Sequence, residues 1–259
     1  MLNLLTAERI KLIRSKKLLI VLSILSILPI IQAVNSKMMV GYGTELIQAK
    51  DTVINGATGI LMMEKNGLTV LLTMCAFIGF FIGEEFQNGT IRNALSLGRS
   101  RIHYYLSKLL MVSLLAFVGV VVLTALGMIC FSIVLGFGEV SEINNYGWYA
   151  LKTFMTLYLL ILANVSIYVM ISFITKNSAI SLVWSFLYTI GTGFGAGIFL
   201  ETEHFKHVTF WFTESFLFYS DFASPIDVAK YSDMILVSFI TIVLSSIIGI
   251  LFFKRADIK

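Results

Sequence analysis

Six apolar runs punctuate this 259-residue chain, each long enough to cross roughly 30 Å of hydrocarbon at about 1.5 Å of rise per helical residue. They lie at about 18–34, 67–83, 109–137, 153–175, 178–200 and 234–253. Hydrocarbon offers no water to satisfy a peptide backbone, so each run predicts a helix, and the whole of 1–259 predicts a single all-α transmembrane domain. Composition agrees: 58% of the residues are apolar and 13% charged, where soluble domains carry about 45–50% and about 25%. Pro29 falls inside the first run, where neighbouring helices can satisfy the carbonyl it frees. The third run exceeds the bilayer and predicts a helix that is tilted or projects beyond it.

The basic residues orient these spans, because loops rich in Lys and Arg stay on the cytoplasmic side. With the N-terminus inside, Arg9, Lys11, Arg14, Lys16, Lys17, Arg92, Arg99, Arg101, Lys108, Lys176, Lys254, Arg255 and Lys259 are all inside, 13 of the 19 Lys and Arg residues. The prediction is a multi-pass protein of the cytoplasmic membrane with both termini in the cytoplasm. Basic residues that flank spans, rather than forming one solvated stripe, argue against a nucleic-acid partner; membrane lipid is the surrounding they fit.

Several chemistries are poorly supported. Cys75 and Cys130 lie within apolar runs as small hydrophobic fillers. No His or Asp occurs inside any run, which argues against an intramembrane protease or lipid hydrolase needing a nucleophile, a base or a metal there. Glu203, His204 and His207 have spacing that could hold a metal, but the set lacks a third convincing ligand, so no metal site is expected. No G-x-x-x-x-G-K-[ST] phosphate loop is present, so the chain carries no ATPase motif or cofactor site of its own.

Two segments on the inner side carry more information. The N-terminal stretch brings Leu2, Leu5, Ile10 and Ile13 together at helical spacing, with Glu8, Lys11 and Arg14 elsewhere on the wheel, and predicts an interfacial helix. Between the second and third runs lies EEFQNGTIRNALSLGRSR, Glu84 to Arg101. Two carboxylates at a span's mouth, a short amphipathic stretch (Phe86, Ile91, Ala94, Leu95), Gly98 as a stop and Ser100 as an N-cap spell a helix, a break and a restart. The same pattern fits a compact knob for another protein's groove or an ordinary solvated loop.

In its sequence this loop resembles the ABC-2 type permeases, the membrane subunits of ATP-binding-cassette transporters. The resemblance rests on Glu85, Phe86, Gly89, Thr90, Ile91, Arg92, Leu95, Gly98, Ser100, Arg101, Tyr105 and Lys108, and on the ending FFKRADIK, Phe252 to Lys259. It implies six spans with an N-terminal interfacial helix, a coupling helix over Phe86 to Asn93 between spans two and three, and re-entrant or interfacial helices between spans five and six. It further implies that Glu84, Glu85, Phe86, Gly89, Thr90, Ile91 and Arg92 couple the permease to ATPase subunits, with Phe86 as an apolar anchor. Two ATPases per complex would bind ATP and Mg, and a second copy or a sister permease would complete the pore. The cargo such relatives move is amphipathic or hydrophobic, a peptide, toxin or antimicrobial, in export or resistance. A different class, a stand-alone immunity protein that sequesters a toxin without ATP, shares the same hydropathy.

The fifth run places Ser181, Ser185, Thr189, Gly193 and Gly197 four residues apart, a sector of small side chains that permits close helix approach. The resemblance puts it near the translocation path or dimer interface; routine packing within the chain fits equally. The outer segment from Glu201 to Asp233 holds six acids among nine aromatics, a mixture suited to the membrane boundary and predicting short interfacial or re-entrant helices.

Overall fold

Where each helix stops is decided by caps rather than by the edge of hydrophobicity. The computed structural model describes residues 2–41, 55–57, 67–96, 98, 100–138, 145–202, 204, 206–219 and 228–256. Expectations resting on Glu203, Arg99, residues 42–54 and 58–66 and the last three residues lie outside the described residues. All regular structure among the described residues is α-helical: α1 (Leu2–Ile13), α2 (Lys16–Gly41), α3 (Gly67–Gln87), α4 (Thr90–Ser96), α5 (Arg101–Leu135), α6 (Tyr146–Thr175), α7 (Ser178–Glu201), α8 (Lys206–Thr209), α9 (Thr213–Tyr219) and α10 (Val228–Arg255). Six of them, α2, α3, α5, α6, α7 and α10, are long and apolar enough to cross a membrane.

Most of these helices overrun their apolar runs. Hydrogen bonding propagates through polar residues until something ends it. The second span continues through Glu84, Glu85 and Phe86 to Gln87, so the short inner helix is Thr90–Ser96 rather than Phe86 to Asn93. Gly89, at φ +67°, turns the chain between the two in the left-handed region that favours glycine. Ser100 caps α5 by accepting from the His103 amide at 3.2 Å. Lys176 in the left-handed region and Asn177, which accepts from the Ile180 amide at 3.1 Å, make the two-residue turn from α6 to α7.

Within the spans, hydroxyls bond back to the preceding turn, as polar groups without water must. Ser26 donates to Leu22 O, Thr124 to Val120 O and Thr241 to Val237 O, at 2.7–2.8 Å. α3 and α6 are largely buried, whereas α2, α7 and α10 present most of their apolar surface outward. On α2 this face reads Ile20, Ile24, Ile27 and Ile31, the pattern of a helix solvated by lipid. α6 lies along α10, α3 along α7, and α2 along α5. The close approach of α3 to α7 depends on glycine: a side chain at Gly83 would run into the backbone of Ser178, and one at Gly79 would crowd Leu182.

α1 corrects its expected face. Leu4, Glu8 and Leu12 point into the protein, while Ile10 and Ile13 are exposed. A spacing of four aligns the inward residues, and the pairing of Glu8 described below offsets the cost of burying an acid. The small-residue sector of α7 also finds its partners within the chain. Ser181 bonds Ser172 at 2.5 Å and Thr189 bonds Tyr168 at 2.5 Å, both on α6. Ser185 is buried, and Gly193 and Gly197 receive Phe218 and Tyr219 of α9. The sector expected at a translocation path or dimer interface is therefore filled by α6 and α9, while Gly191 and Gly195 have open space beside them.

Gly83→Leu is expected to lower stability by about 1–3 kcal/mol, the usual cost of overpacking against atoms that cannot yield. Gly191→Leu should leave it unchanged or slightly raised. Thermal unfolding of the purified protein in detergent compares the two.

Candidate functional site

One end of the bundle gathers α1, α4, both ends of the α6–α7 turn, the last turns of α3 and α10, and the first turns of α5. It is the basic end, carrying Lys11, Lys17, Arg101, Lys108, Lys176 and Arg255. Its centre is Lys108, fully buried and about 10 Å along α5 from its start at 1.5 Å per residue. An ammonium there requires counter-charge. It receives two: Lys108 Nζ donates to Glu85 Oε1 at 2.6 Å and to Glu8 Oε2. Lys11 adds a second cation on Glu85 Oε1, and the Tyr104 hydroxyl donates to Glu85 Oε2 at 2.5 Å. Two acids and two lysines thus balance in charge and tie α1, α3 and α5 together. Burial pushes the Glu8 carboxyl above the ordinary range, with Lys108 pulling it the other way.

Beside this ionic cluster sits an aromatic one. Phe86 meets Phe173 edge-on at 5.5 Å between ring centres and Phe253 at 6.1 Å; Tyr105 lies 4.7 Å from Phe173, and Phe173 4.8 Å from Phe253. Such contacts join the ends of α3, α5, α6 and α10 at spacings typical of favourable aromatic pairs. Arg101 completes the joint. Its Nη1 donates to the carbonyls of Phe253, Lys254 and Ala256 at 2.8–2.9 Å, supplying donors to carbonyls that a helix end leaves unpaired.

The residues expected to couple to a partner therefore divide. Glu85 is held by the ionic cluster, Phe86 by the aromatic one, and Ile91 is fully buried. Glu84 pairs with Lys17, and the Thr90 hydroxyl donates to Glu85 O at 3.2 Å. Arg92 is exposed, together with Gln87, Asn88, Thr90 and Asn93. Phe86 is thus an anchor within the chain, and the outward surface is a polar tip stiffly mounted on a buried joint. Between α1 and this tip lies a cleft of about 510 Å³, lined by Lys11, Arg14, Lys17, Glu84, Asn88 and Thr90 among others.

Sequence reasoning found the loop but missed Glu8, Tyr104, Phe173 and Phe253. Lys108 carried the signal, since a lysine directly against an apolar run asks for a carboxylate if the helix draws it in, and Glu8 and Glu85 were available. Among the described residues no group of His, Cys, Asp and Glu is arranged to hold a metal.

Six spans braced at one end, with a short helix projecting between the second and third, define a multi-pass membrane protein. The chain belongs to the ABC-2 family of transporter proteins, whose model matches residues 4–192, from α1 through most of α7. It is a membrane transport component of a family that works with ABC ATPases, and the sequence holds no phosphate loop of its own. No curated protein matches the chain.

Lys108→Met leaves two buried carboxylates sharing only Lys11, and is expected to cost about 3–5 kcal/mol, as removal of one partner from a buried ionic group does. Lys11→Met removes a partner that is 45% exposed and should cost about 0–1 kcal/mol. Thermal unfolding together with limited proteolysis at α1 distinguishes them: only the first variant should release the N-terminal helix to protease.

Proposed function

We propose that this chain is the permease subunit of an ATP-driven exporter, powered by two separate ATPase subunits that bind ATP and Mg, and working with a second copy or a sister permease. The basic end faces the cytoplasm, where the positive-inside rule places it, and both termini lie there. The observation that carries the reading is the contrast across α4. Its inner side, Ile91 with Ala94 and Leu95, is seated on the core, and its outer side, Thr90, Arg92 and Asn93, is exposed and polar. A helix so mounted transmits force: a partner pushing on Arg92 and Asn93 pushes α3 and α5 through Glu85 and Lys108. Glu84, Glu85, Phe86, Gly89 and Ile91 act here by positioning, and Thr90 and Arg92 by contact.

The cargo in this reading is amphipathic or hydrophobic. A groove of about 730 Å³ runs between α6, α7 and α10, lined almost entirely by apolar side chains including Ile171, Trp184, Leu187, Trp211 and Leu244. Such a lining suits an acyl chain or an apolar peptide face and offers little to an ion. Peptide, toxin and antimicrobial cargoes fit this chemistry.

Purification from native membranes in mild detergent tests the proposal. A bound ATPase is expected, and Arg92→Glu, which leaves the joint intact, should weaken its retention roughly tenfold, about 1.4 kcal/mol. Absence of any ATPase, or an Arg92→Glu variant that retains it as the parent does, overturns the coupling assignment.

A further inference from the structure

α9 does not sit on the surface of the bundle. Asn164 Nδ2 donates to Thr213 Oγ1 at 3.0 Å, and Asn164 lies about 17 Å along α6 from its basic end, taking 1.5 Å per residue. The start of α9 is thus inserted at mid-depth between α6 and α7, and Glu214 with it. Glu214 is fully buried, as are Asn164 and, within 1%, Thr213. Thr213 Oγ1 donates to Glu214 Oε2 at 3.2 Å, which makes a chain from Asn164 through Thr213 to the carboxyl.

Two acceptors in this chain are left over. Neither Glu214 Oε1 nor Asn164 Oδ1 has a hydrogen-bond partner. The hydroxyls of Tyr188 and Thr192 on α7 approach the carboxyl closely enough to act on it, but none is in bonding geometry with Oε1. Nor do these neighbours bring positive charge. From α6, Tyr168 is near enough to feel the carboxyl and is a neutral phenol already bonded to Thr189, and from α3 Cys75 acts on Tyr168. On α10, Tyr231 is bonded to Thr153 beneath Lys152, Asp233 is exposed and Lys230 is half-buried at the outer end.

An ionised carboxylate buried with no cation is among the costliest arrangements in a protein. Water can satisfy an acceptor but leaves the charge in place. A proton removes the charge and turns one orphan acceptor into a donor.

We propose that Glu214, Thr213 and Asn164 form a proton-binding site, occupied by one proton on the Glu214 carboxyl, and that this proton latches the inserted α9 between α6 and α7. The site is separate from the ionic joint of the basic end and does not depend on the coupling assignment. Loss of the proton places a charge in the bundle and drives α9 toward water.

Burial raises the Glu214 carboxyl to about 7, with hydroxyls of Thr192, Thr213 and Tyr188 and a backbone amide pulling it down. A folded-state value above the unfolded one gives stability that is fully present at acid pH and lost as pH rises through the folded value. The purified full chain in lipid nanodiscs should therefore melt at lower temperature as pH is raised through about 7. Glu214→Gln, an amide in the shape of the protonated acid, should melt like the parent at acid pH and lose this dependence. The infrared carbonyl band of a protonated carboxyl should be present in the parent at acid pH and missing from Glu214→Gln. Thr213→Val removes a hydroxyl that favours the anion, and should move the midpoint of the band's disappearance to higher pH, a readout that stands even if Glu214→Gln does not fold. Melting that follows sodium or potassium concentration instead of pH, a band unaltered by Glu214→Gln, or an unmoved midpoint in Thr213→Val would each overturn the site.

Discussion

Everything at the basic end depends on one ammonium group out of reach of water. Lys108 cannot be buried alone, and meeting its need fixes the positions of three helices: Glu85 brings α3, Glu8 brings α1, and α5 carries the lysine itself. Because Glu85 also accepts from Tyr104 and Lys11, its orientation is set from several sides. Apolar packing of equal volume would cost no desolvation, but once such an ionic group is buried, removing one partner leaves a charge uncompensated.

The aromatic and ionic halves of the joint divide the labour. The ionic half holds α1 to α3 and α5, while Phe86, Tyr105, Phe173 and Phe253, with the Arg101 fork over the end of α10, hold α3, α5, α6 and α10. The short helix α4 is joined to both through a turn of only two residues at Asn88 and Gly89. In the ABC-2 family such a membrane subunit draws its energy from other chains, and the stiffness of this mounting is what a transmitted movement would require.

Much of the architecture could be read from residue order alone, and the reasons are local. Apolar length gives six spans, Ser100 gives a helix start, and Lys176 with Asn177 gives a turn, each without knowledge of a distant neighbour. What could not be read depends on partners far along the chain. A spacing of four shows which side of α7 is small, but not that Tyr168, Phe218 and Tyr219 fill it. Phe86 looks the same in sequence whether it awaits a partner or rests on Phe173. Glu214 is the plainest case: among the acids of the outer segment nothing distinguishes it until α9 is seen to enter the bundle beside Asn164.

The 35 residues of α5 begin in that joint and run without interruption to Leu135. At 1.5 Å per residue the stretch of α5 from Lys108 to Leu135 is about 40 Å long, so a tilt of about 5° about Lys108 would sweep the far tip through about 3.5 Å. The joint is then a fulcrum placed near one end of a long arm. A displacement too small to disturb the salt bridges would be geared up, by leverage alone, to one comparable with the width of a side chain at the other end of the helix.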